Sequence, residues 1–243
     1  MSGPFVSARG HGVRRTFGGR ASAQTQAKFA TLGRTSASRN PAPRPSTPSG
    51  VNGELLPILD LIAEAGILKS VRRSGWWMLG IKNGESVAEH SFRTALIGYV
   101  LAKMEEVDPY SVVMMSLLND LHEARINDLH KVGHRYIDFR AAERRASREQ
   151  LARLPKLLRE DLGKWAQELG TQSTLASRIA RDADLLECMI QGKEYATQGH
   201  SKAIDWMRRP MHLLRTKSAK TLAKTLARWK PDSWWQNLVT LAR

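Results

Sequence analysis

The stretch DPYSVVMMSLLNDLHE, residues 108–123, decides the fold class. Asp108-Pro109 is a typical helix start, because Asp caps free backbone N–H groups and Pro suits the first turn. The apolar run that follows predicts a helix packed in a protein core, with three leucines expected to be buried: Leu117, Leu118 and Leu121. Burying Asn119 and Asp120 among them costs several kcal/mol unless they are paired or bind a cation. These two residues are therefore candidates for a functional site.

Helical spacing of apolar residues continues on both sides of this stretch. A first helix is predicted from residue 53 to about Gly66, and a second begins at Ser86, with Glu89 at the offset of a capping box. Later helices are predicted at 138–153, 155–169, 172–196, 201–214, 217–229 and 232–242. No convincing alternating strand and no internal repeat is found. We therefore expect an all-α body that forms one domain.

The charge is unevenly distributed along the chain. The formal net charge is +15. Residues 1–50 carry +8, residues 51–195 carry −1, and residues 196–243 carry +8. The sequence thus predicts a neutral body between two basic arms, and a polyanionic partner would bind the arms rather than the body.

The N-terminal extension, residues 1–50, is basic, contains no Asp or Glu and is rich in Pro, Gly and Ser. Such a composition buries too little apolar surface to fold, so we expect a disordered or extended arm. Three roles remain open: a transit peptide, an arm that binds RNA or a protein partner, and an inert tail. A transit peptide would send the protein to the mitochondrial matrix or another organelle; otherwise we expect a cytoplasmic location.

The C-terminal segment, residues 198–243, is predicted to form basic, Trp-rich helices packed on the domain or extending it. Four basic residues recur every three to four positions and line one helix face: Lys217, Lys220, Lys224 and Arg228. Three tryptophans follow: Trp229, Trp234 and Trp235. This face is either a solvated surface of a packing helix or a surface that binds RNA or a ribonucleoprotein, with the tryptophans available for stacking.

Other features of the sequence exclude a disulfide framework and a membrane span, and assign structural roles to individual residues. Cys188 has no partner in the chain, so a disulfide framework is excluded, and we expect it to pack in the core. No apolar run approaches the roughly 18 residues of a membrane span, so no membrane partner is expected. His130 and His134 have the spacing of a helical zinc pair, but the lack of a third ligand favours surface histidines.

Three predicted helices each carry a side chain able to bind a metal in an otherwise apolar setting. His90 lies one turn into the helix that begins at Ser86, and Asn119-Asp120 interrupts the central apolar run. Asp184 stands in IARDADLLECMI, residues 179–190. Together with Glu123 and Asp128, this ordered set indicates a present or ancestral metal site, although each residue alone would be interpreted as structural.

The order of these residues resembles the HD-domain metal-dependent phosphohydrolases, and in particular the branch that contains bacterial and human 5′-deoxynucleotidases. The matching stretches are LKSVRRSGW (68–76), ESVAEHS (85–91), NDLHEARIND (119–128) and DLLECMIQGKEY (184–195). The resemblance covers about residues 52–197. It implies an HD-domain helical bundle, with residues 51–197 as the HD-type domain and a homodimer as the expected assembly.

The resemblance also implies roles for individual residues. One divalent metal, Co²⁺, Mn²⁺, Zn²⁺ or Mg²⁺, would be held by the residues at four positions: His90, Asn119, Asp120 and Asp184. Glu123 would help to activate the attacking water. Arg73 would face the phosphate, Trp76 would line the sugar pocket, and Asp128 would contact the sugar of a nucleoside monophosphate.

The sequence departs from the family at its eponymous His-Asp pair, which is Asn119-Asp120. First-row transition metals favour imidazole over an amide oxygen, so the metal would bind less tightly, shift toward Mg²⁺, or be lost. Two functions follow. The first is a phosphohydrolase that cleaves nucleoside 5′-monophosphates with a metal-activated water, its activity weakened or lost through Asn119. The alternative is an inactive HD-fold pseudoenzyme, a structural or RNA-associated component of a larger assembly such as a mitochondrial ribonucleoprotein.

Overall fold

The computed structural model describes residues 52–236 and 238–239, and the predicted N-terminal arm lies outside this range. Eleven α-helices occur in the described residues: α1 (Asn52–Ile67), α2 (Ser74–Trp77), α3 (Val87–Met104), α4 (Pro109–Leu118), α5 (Glu123–Ile126), α6 (Phe139–Ala152), α7 (Lys156–Thr171), α8 (Leu175–Thr197), α9 (Ile204–Arg208), α10 (Lys217–Leu226) and α11 (Ser233–Gln236). Short 3₁₀ helices lie at Gly133–Arg135, Ser201–Ala203 and Arg209–Leu213. No strand occurs in the described residues, which confirms the prediction of an all-α body.

Helix α8 lies at the centre of the bundle, with α3 and α4 packed against it and against each other. The largest buried cluster joins these helices through apolar side chains such as Leu101, Met115, Ile179, Leu186 and Met189. Helices α3 and α4 approach closely at Gly98, where an added Cβ would lie 3.0 Å from both the Ser116 Oγ and the Val112 Cγ1 atoms. The bundle therefore brings the interior faces of three helices together.

Both predicted helix starts are confirmed. Ser86 caps α3, and its side chain and the Glu89 side chain exchange hydrogen bonds with each other's backbone in a capping box. Asp108 caps α4, with Pro109 in the first turn. These local interactions satisfy N–H groups that no helical carbonyl can reach.

Helix α4 ends earlier than the apolar pattern predicts. It stops at Leu118, and residues 119–122 form a turn before α5 begins at Glu123. Leu117 is 42% exposed, so the expectation that it would be buried is wrong. The turn instead directs Asp120, which is 7% exposed, into the interior. The buried polar position of Asp120 therefore arises in a turn after the end of α4, whereas the sequence predicted it on the face of a continuous helix.

The predicted helix at 201–214 is also wrong, because the segment forms two 3₁₀ turns around the five-residue α9. Pro210 lacks the backbone N–H that a continuing α-helix would use. The predicted helix at 217–229 ends at Leu226. Of the helix predicted at 232–242, the structure describes a helix at Ser233–Gln236, and residues 237 and 240–242 lie outside the described range.

Helix α10 buries one face and exposes its lysines. Ser218, Ala219, Ala223 and Leu226 are buried, whereas Lys217, Lys220 and Lys224 are exposed. This pattern agrees with a packing helix that has a solvated cationic face. Whether that face binds RNA stays a prediction.

Several large apolar side chains on α1 and α3 are exposed. Leu59 and Ile62 lie on α1, and Phe92, Leu96 and Tyr99 follow helical spacing on α3. Exposed apolar side chains that form a contiguous patch are typical of interfaces. The predicted homodimer stays a prediction.

No helix in the described part of the chain is long and apolar enough to cross a bilayer.

Asp182, two residues before Asp184, is fully buried and anchors α10. Its carboxylate accepts hydrogen bonds from the backbone N–H groups of Arg215 and Thr216 and from the Thr216 hydroxyl. Replacing Asp182 by Ala should lower the free energy of unfolding by about 3 kcal/mol, because buried donors lose their acceptor. Urea denaturation measures this change. The exposed Asp205→Asn variant is the control, and its stability should stay within about 0.5 kcal/mol of wild type. An equally small effect of Asp182→Ala would contradict the anchoring role.

Candidate active site

His90 lies at the centre of the candidate site. The capping box starts α3 so that His90 faces the interior one turn later, where it is 1% exposed. Its Nε2 atom lies 3.1 Å from the Asp184 Oδ1 atom and 3.4 Å from the Asp120 Oδ2 atom. Three of the predicted ligands, from α3, from the turn after α4 and from α8, are thus brought together in the structure.

The other ring nitrogen of His90 is held by Glu187. The Nδ1 atom donates a hydrogen bond to the fully buried Glu187 carboxylate, which also accepts from Arg93 at 2.7 and 2.9 Å. Arg93 in turn binds Glu194 through its Nη1 atom at 2.9 Å. Because a carboxylate only accepts, this contact keeps a proton on Nδ1 and leaves Nε2 directed at the aspartates.

Sequence reasoning missed Glu187 and Arg93. The available signal was their spacing, since Glu187 follows Asp184 by three residues and Arg93 follows His90 by three. Both are charged residues on the same helix faces as the predicted ligands.

Asn119 and Asp120 lie in the turn after α4. The Asn119 Nδ2 atom donates to the Asp120 Oδ1 atom at 2.7 Å, so its amide NH₂ group faces the aspartate. The Asp120 Oδ2 atom is buried without a hydrogen-bond partner. Burial raises the pKa of Asp120, although His90 and Arg73 act in the opposite direction.

Arg73 lies immediately before α2 and faces two groups of the site. Its Nη2 atom donates to the Cys188 Sγ atom at 3.0 Å, and its Nη1 atom lies 3.7 Å from the Asp120 Oδ2 atom. Cys188 therefore faces the polar site, and the expectation that it packs in the apolar core is wrong. Its place on α8, four residues after Asp184, gives both side chains the same helix face.

The remaining predicted substrate residues have different surroundings. The Asp128 Oδ2 atom accepts a hydrogen bond from the Ser74 backbone N–H at 2.7 Å, which holds Asp128 beside the segment that carries Arg73. Trp76 is 2% exposed, and its indole N–H donates to Glu85 at 2.8 Å. The structure therefore does not bring the Trp76 ring to the site surface, whereas its neighbour Trp77 is half exposed.

Glu123 opens α5 and is buried, and its Oε2 atom has no hydrogen-bond partner. Burial raises its pKa to about 9, and the neighbouring charges of Asp120 and Asp128 add to this effect. Unpartnered buried oxygens on Asp120 and Glu123 are the feature expected where a cation and a water molecule bind.

The electrostatics of His90 depend on its carboxylate neighbours. Burial and the Arg73 charge lower the pKa of His90, but hydrogen bonds to Asp184 and Glu187 outweigh them and raise it to about 10. Burial alone would raise the pKa of Asp184, yet the hydrogen bond with His90 and the charge of Arg181 hold it well below its usual range. Arg181 donates to the Asp184 Oδ2 atom at 2.5 Å. The site thus pairs its carboxylates with cationic side chains.

His130 and His134 make local contacts instead of a metal pair. The His134 Nε2 atom bonds the Leu129 carbonyl oxygen at 2.9 Å, and the His130 Nδ1 atom accepts from the Gly133 N–H. The groups of three or more side chains that can hold a metal, among the described residues, are His90 with Asp184 and Cys188, and Glu85 with His90 and Glu187. The prediction favoured surface histidines, and both side chains are half-buried in the structure.

A helical bundle that places two aspartates within 3.4 Å of one buried histidine, with unpartnered carboxylate oxygens nearby, fits the class of proteins that bind a divalent cation between helices. The model of the HD domain matches residues 65–226, more than half of the chain. The chain therefore belongs to the HD-domain family, which is metal-dependent, and the resemblance drawn from the sequence is confirmed.

The relatives agree with this family. A protein named 5′-deoxynucleotidase HDDC2 from Dictyostelium discoideum is 28% identical over 154 residues, which cover 58% of this chain and 79% of the relative. The Bos taurus protein of the same name is 30% identical over 142 residues, covering 57% and 67%. A solved structure of a conserved hypothetical protein from Pyrococcus furiosus matches with a TM-score of 0.62 at 28% identity, covering 70% and 99%. The two named relatives are enzymes, which gives no support to an inactive assembly component.

Removing the carboxylate that holds His90 should destabilise the fold. The Glu187→Ala change leaves Arg93 and His90 buried without their common partner, so the free energy of unfolding should fall by about 3–5 kcal/mol. Urea denaturation monitored by circular dichroism measures it. Glu160→Gln, which removes an exposed charge paired with Lys156, should change stability by less than about 0.5 kcal/mol. Equal effects of the two substitutions would show that the buried network is not needed for stability.

Proposed function

We propose that this protein hydrolyses nucleoside 5′-monophosphates with a metal-activated water. The observation that carries the proposal is the pair of unpartnered, buried carboxylate oxygens on Asp120 and Glu123 beside His90, inside an HD domain. The relatives named 5′-deoxynucleotidase support the substrate class.

The donor set fits a divalent cation. His90, Asp120 and Asp184 supply one imidazole nitrogen and two carboxylates, a combination found with Zn²⁺, Co²⁺ and Mn²⁺, and Asp120 retains an oxygen free of hydrogen bonds. When bound, the cation polarises the phosphate and lowers the pKa of a coordinated water. Asn119 would join the ligands only if its amide turned to direct the carbonyl oxygen at the site, since its NH₂ group faces Asp120.

The other residues bind the substrate and move protons. The planar guanidinium of Arg73 suits a phosphate, and it would exchange its contacts with Cys188 and Asp120 for phosphate oxygens. Glu123 would take a proton from the attacking water once positive charge in the site lowers its raised pKa. Asp128 uses one oxygen for the Ser74 N–H, and its other oxygen is available to a sugar hydroxyl.

Loss of a ligand or of the proton acceptor should stop phosphate release. We expect phosphate release from deoxynucleoside monophosphates with added Co²⁺, Mn²⁺ or Mg²⁺. Asp120→Ala should abolish it, and Glu123→Gln should lower kcat by about 10²–10⁴-fold. The exposed Asp205→Asn variant should keep wild-type activity. Activity that survives Asp120→Ala would contradict the proposed site.

Restoring the histidine of the pair should strengthen metal binding. Asn119→His adds an imidazole where transition metals prefer one, so we expect Co²⁺ affinity to rise by about tenfold or more, measured by calorimetric titration of metal-free protein. Glutamine at residue 119 is the control, because it keeps an amide. If wild type is inert and metal-free while Asn119→His turns over substrate, the active-enzyme proposal is wrong and the alternative of an inactive component is favoured.

A further inference from the structure

The candidate metal site lacks one nitrogen ligand compared with a complete His-Asp pair. Asn119 stands at that position, and its amide NH₂ group donates to Asp120 instead of facing the site with an oxygen. The family resemblance implies four protein ligands, whereas His90, Asp120 and Asp184 are three. A catalytic zinc binds water beside its protein ligands and can expand to five-coordinate, so a fourth protein ligand still leaves a position for water.

Cys188 lies beside two of these ligands. It follows Asp184 by one turn of α8, and the donor atoms of His90, Asp184 and Cys188 all lie within 4.8 Å of one another. Neighbouring donors of a tetrahedral zinc site, with Zn–S of about 2.3 Å and Zn–N of about 2.1 Å, are roughly 3.6 Å apart. Small side-chain movements would therefore bring the three donors onto one ion.

Two further observations indicate that a cation belongs between these groups. The cationic guanidinium of Arg73 already spans Cys188 and Asp120, at 3.0 Å from the Sγ atom and 3.7 Å from the Oδ2 atom. The same Oδ2 atom is buried without a hydrogen-bond partner and lies 3.4 Å from the His90 Nε2 atom. One positive charge is thus within reach of both the sulfur and the unsatisfied oxygen.

We propose that Cys188 binds the metal through its sulfur together with His90, Asp120 and Asp184, and so replaces the nitrogen ligand that Asn119 cannot supply. This inference rests on the proposed metal site. As the metal–sulfur bond forms, the thiol proton leaves to solvent, and Arg73 moves off the sulfur toward the substrate phosphate. A thiolate is a soft ligand, so the site would prefer Zn²⁺ or Co²⁺ to Mg²⁺.

Cobalt titration of the full-length, metal-stripped protein tests the proposal. A thiolate bound to Co²⁺ gives a charge-transfer absorption in the near ultraviolet, and any such band belongs to Cys188 because the chain has one cysteine. We expect the band in wild type. Cys188→Ser should abolish it and weaken Co²⁺ binding by about tenfold or more. The Asn119→His, Cys188→Ser double variant should regain affinity without the band.

The outcomes separate this inference from the proposed function. Co²⁺ binding without the band, with affinity unchanged in Cys188→Ser, would overturn the role of Cys188 and leave the proposed hydrolase intact. Absence of any Co²⁺ binding by wild type would overturn both.

Wild-type protein also gives a measurement that needs no variant. Zn²⁺ should slow alkylation of Cys188 by iodoacetamide in urea-free buffer, and an unchanged rate at saturating Zn²⁺ would contradict ligation.

Discussion

Burial of acidic side chains on the central helix α8 is the constraint on which the rest of the structure depends. Asp182 and Glu187 are fully buried and Asp184 is 8% exposed, all within six residues of one helix. A buried carboxylate is costly unless it is paired or fully hydrogen-bonded, so each must find donors on another element. The three carboxylates therefore determine where neighbouring segments pack.

Each carboxylate meets its requirement differently. Asp182 takes backbone N–H groups at the start of α10 and so attaches the C-terminal helix. Glu187 accepts hydrogen bonds from Arg93 and His90, and so fixes the orientation of α3. Asp184 faces His90 and Arg181, and it is the one that reaches the candidate metal site. Stability and chemistry thus come from the same helix, at positions only two or three residues apart.

The site contains five buried acidic side chains and the cationic side chains that pair with some of them. The acids are Glu85, Asp120, Glu123, Asp184 and Glu187. Asp120 and Glu123 retain oxygens without hydrogen-bond partners. In contrast, Glu85 accepts a hydrogen bond from Trp76, and Glu187 accepts from Arg93. Burial raises the pKa of Glu85 to about 7, and the neighbouring Glu187 adds to this shift. Carboxylate oxygens without hydrogen-bond partners therefore remain on Asp120, whose Oδ2 atom lies 3.4 Å from the His90 Nε2 atom, and on Glu123.

Much of the fold and part of the site could be predicted from the sequence. The capping box at Ser86 and the start at Asp108-Pro109 follow from residue types at fixed spacing. The grouping of His90, Asp120 and Asp184 follows from their order in apolar helices and from the family resemblance. The end of α4 at Leu118 could not be predicted, because the apolar pattern continues through Leu121. The sequence also could not predict that Trp76 is buried while Trp77 is half exposed, because the burial of Trp76 depends on contacts with the distant residues Glu85, Tyr195 and Trp206.

By itself, the sequence determined the helical class, the helix starts and the family, because these depend on local hydrogen bonds and on the order of a few polar residues along the chain. Only the tertiary structure decided that Asp182 anchors a helix while Asp184 faces the site, and that Cys188 points at Arg73 instead of the core. The reason is physical. Two acidic residues two positions apart on a helix point about 200° from each other, and what each one meets depends on segments that lie far away in the chain.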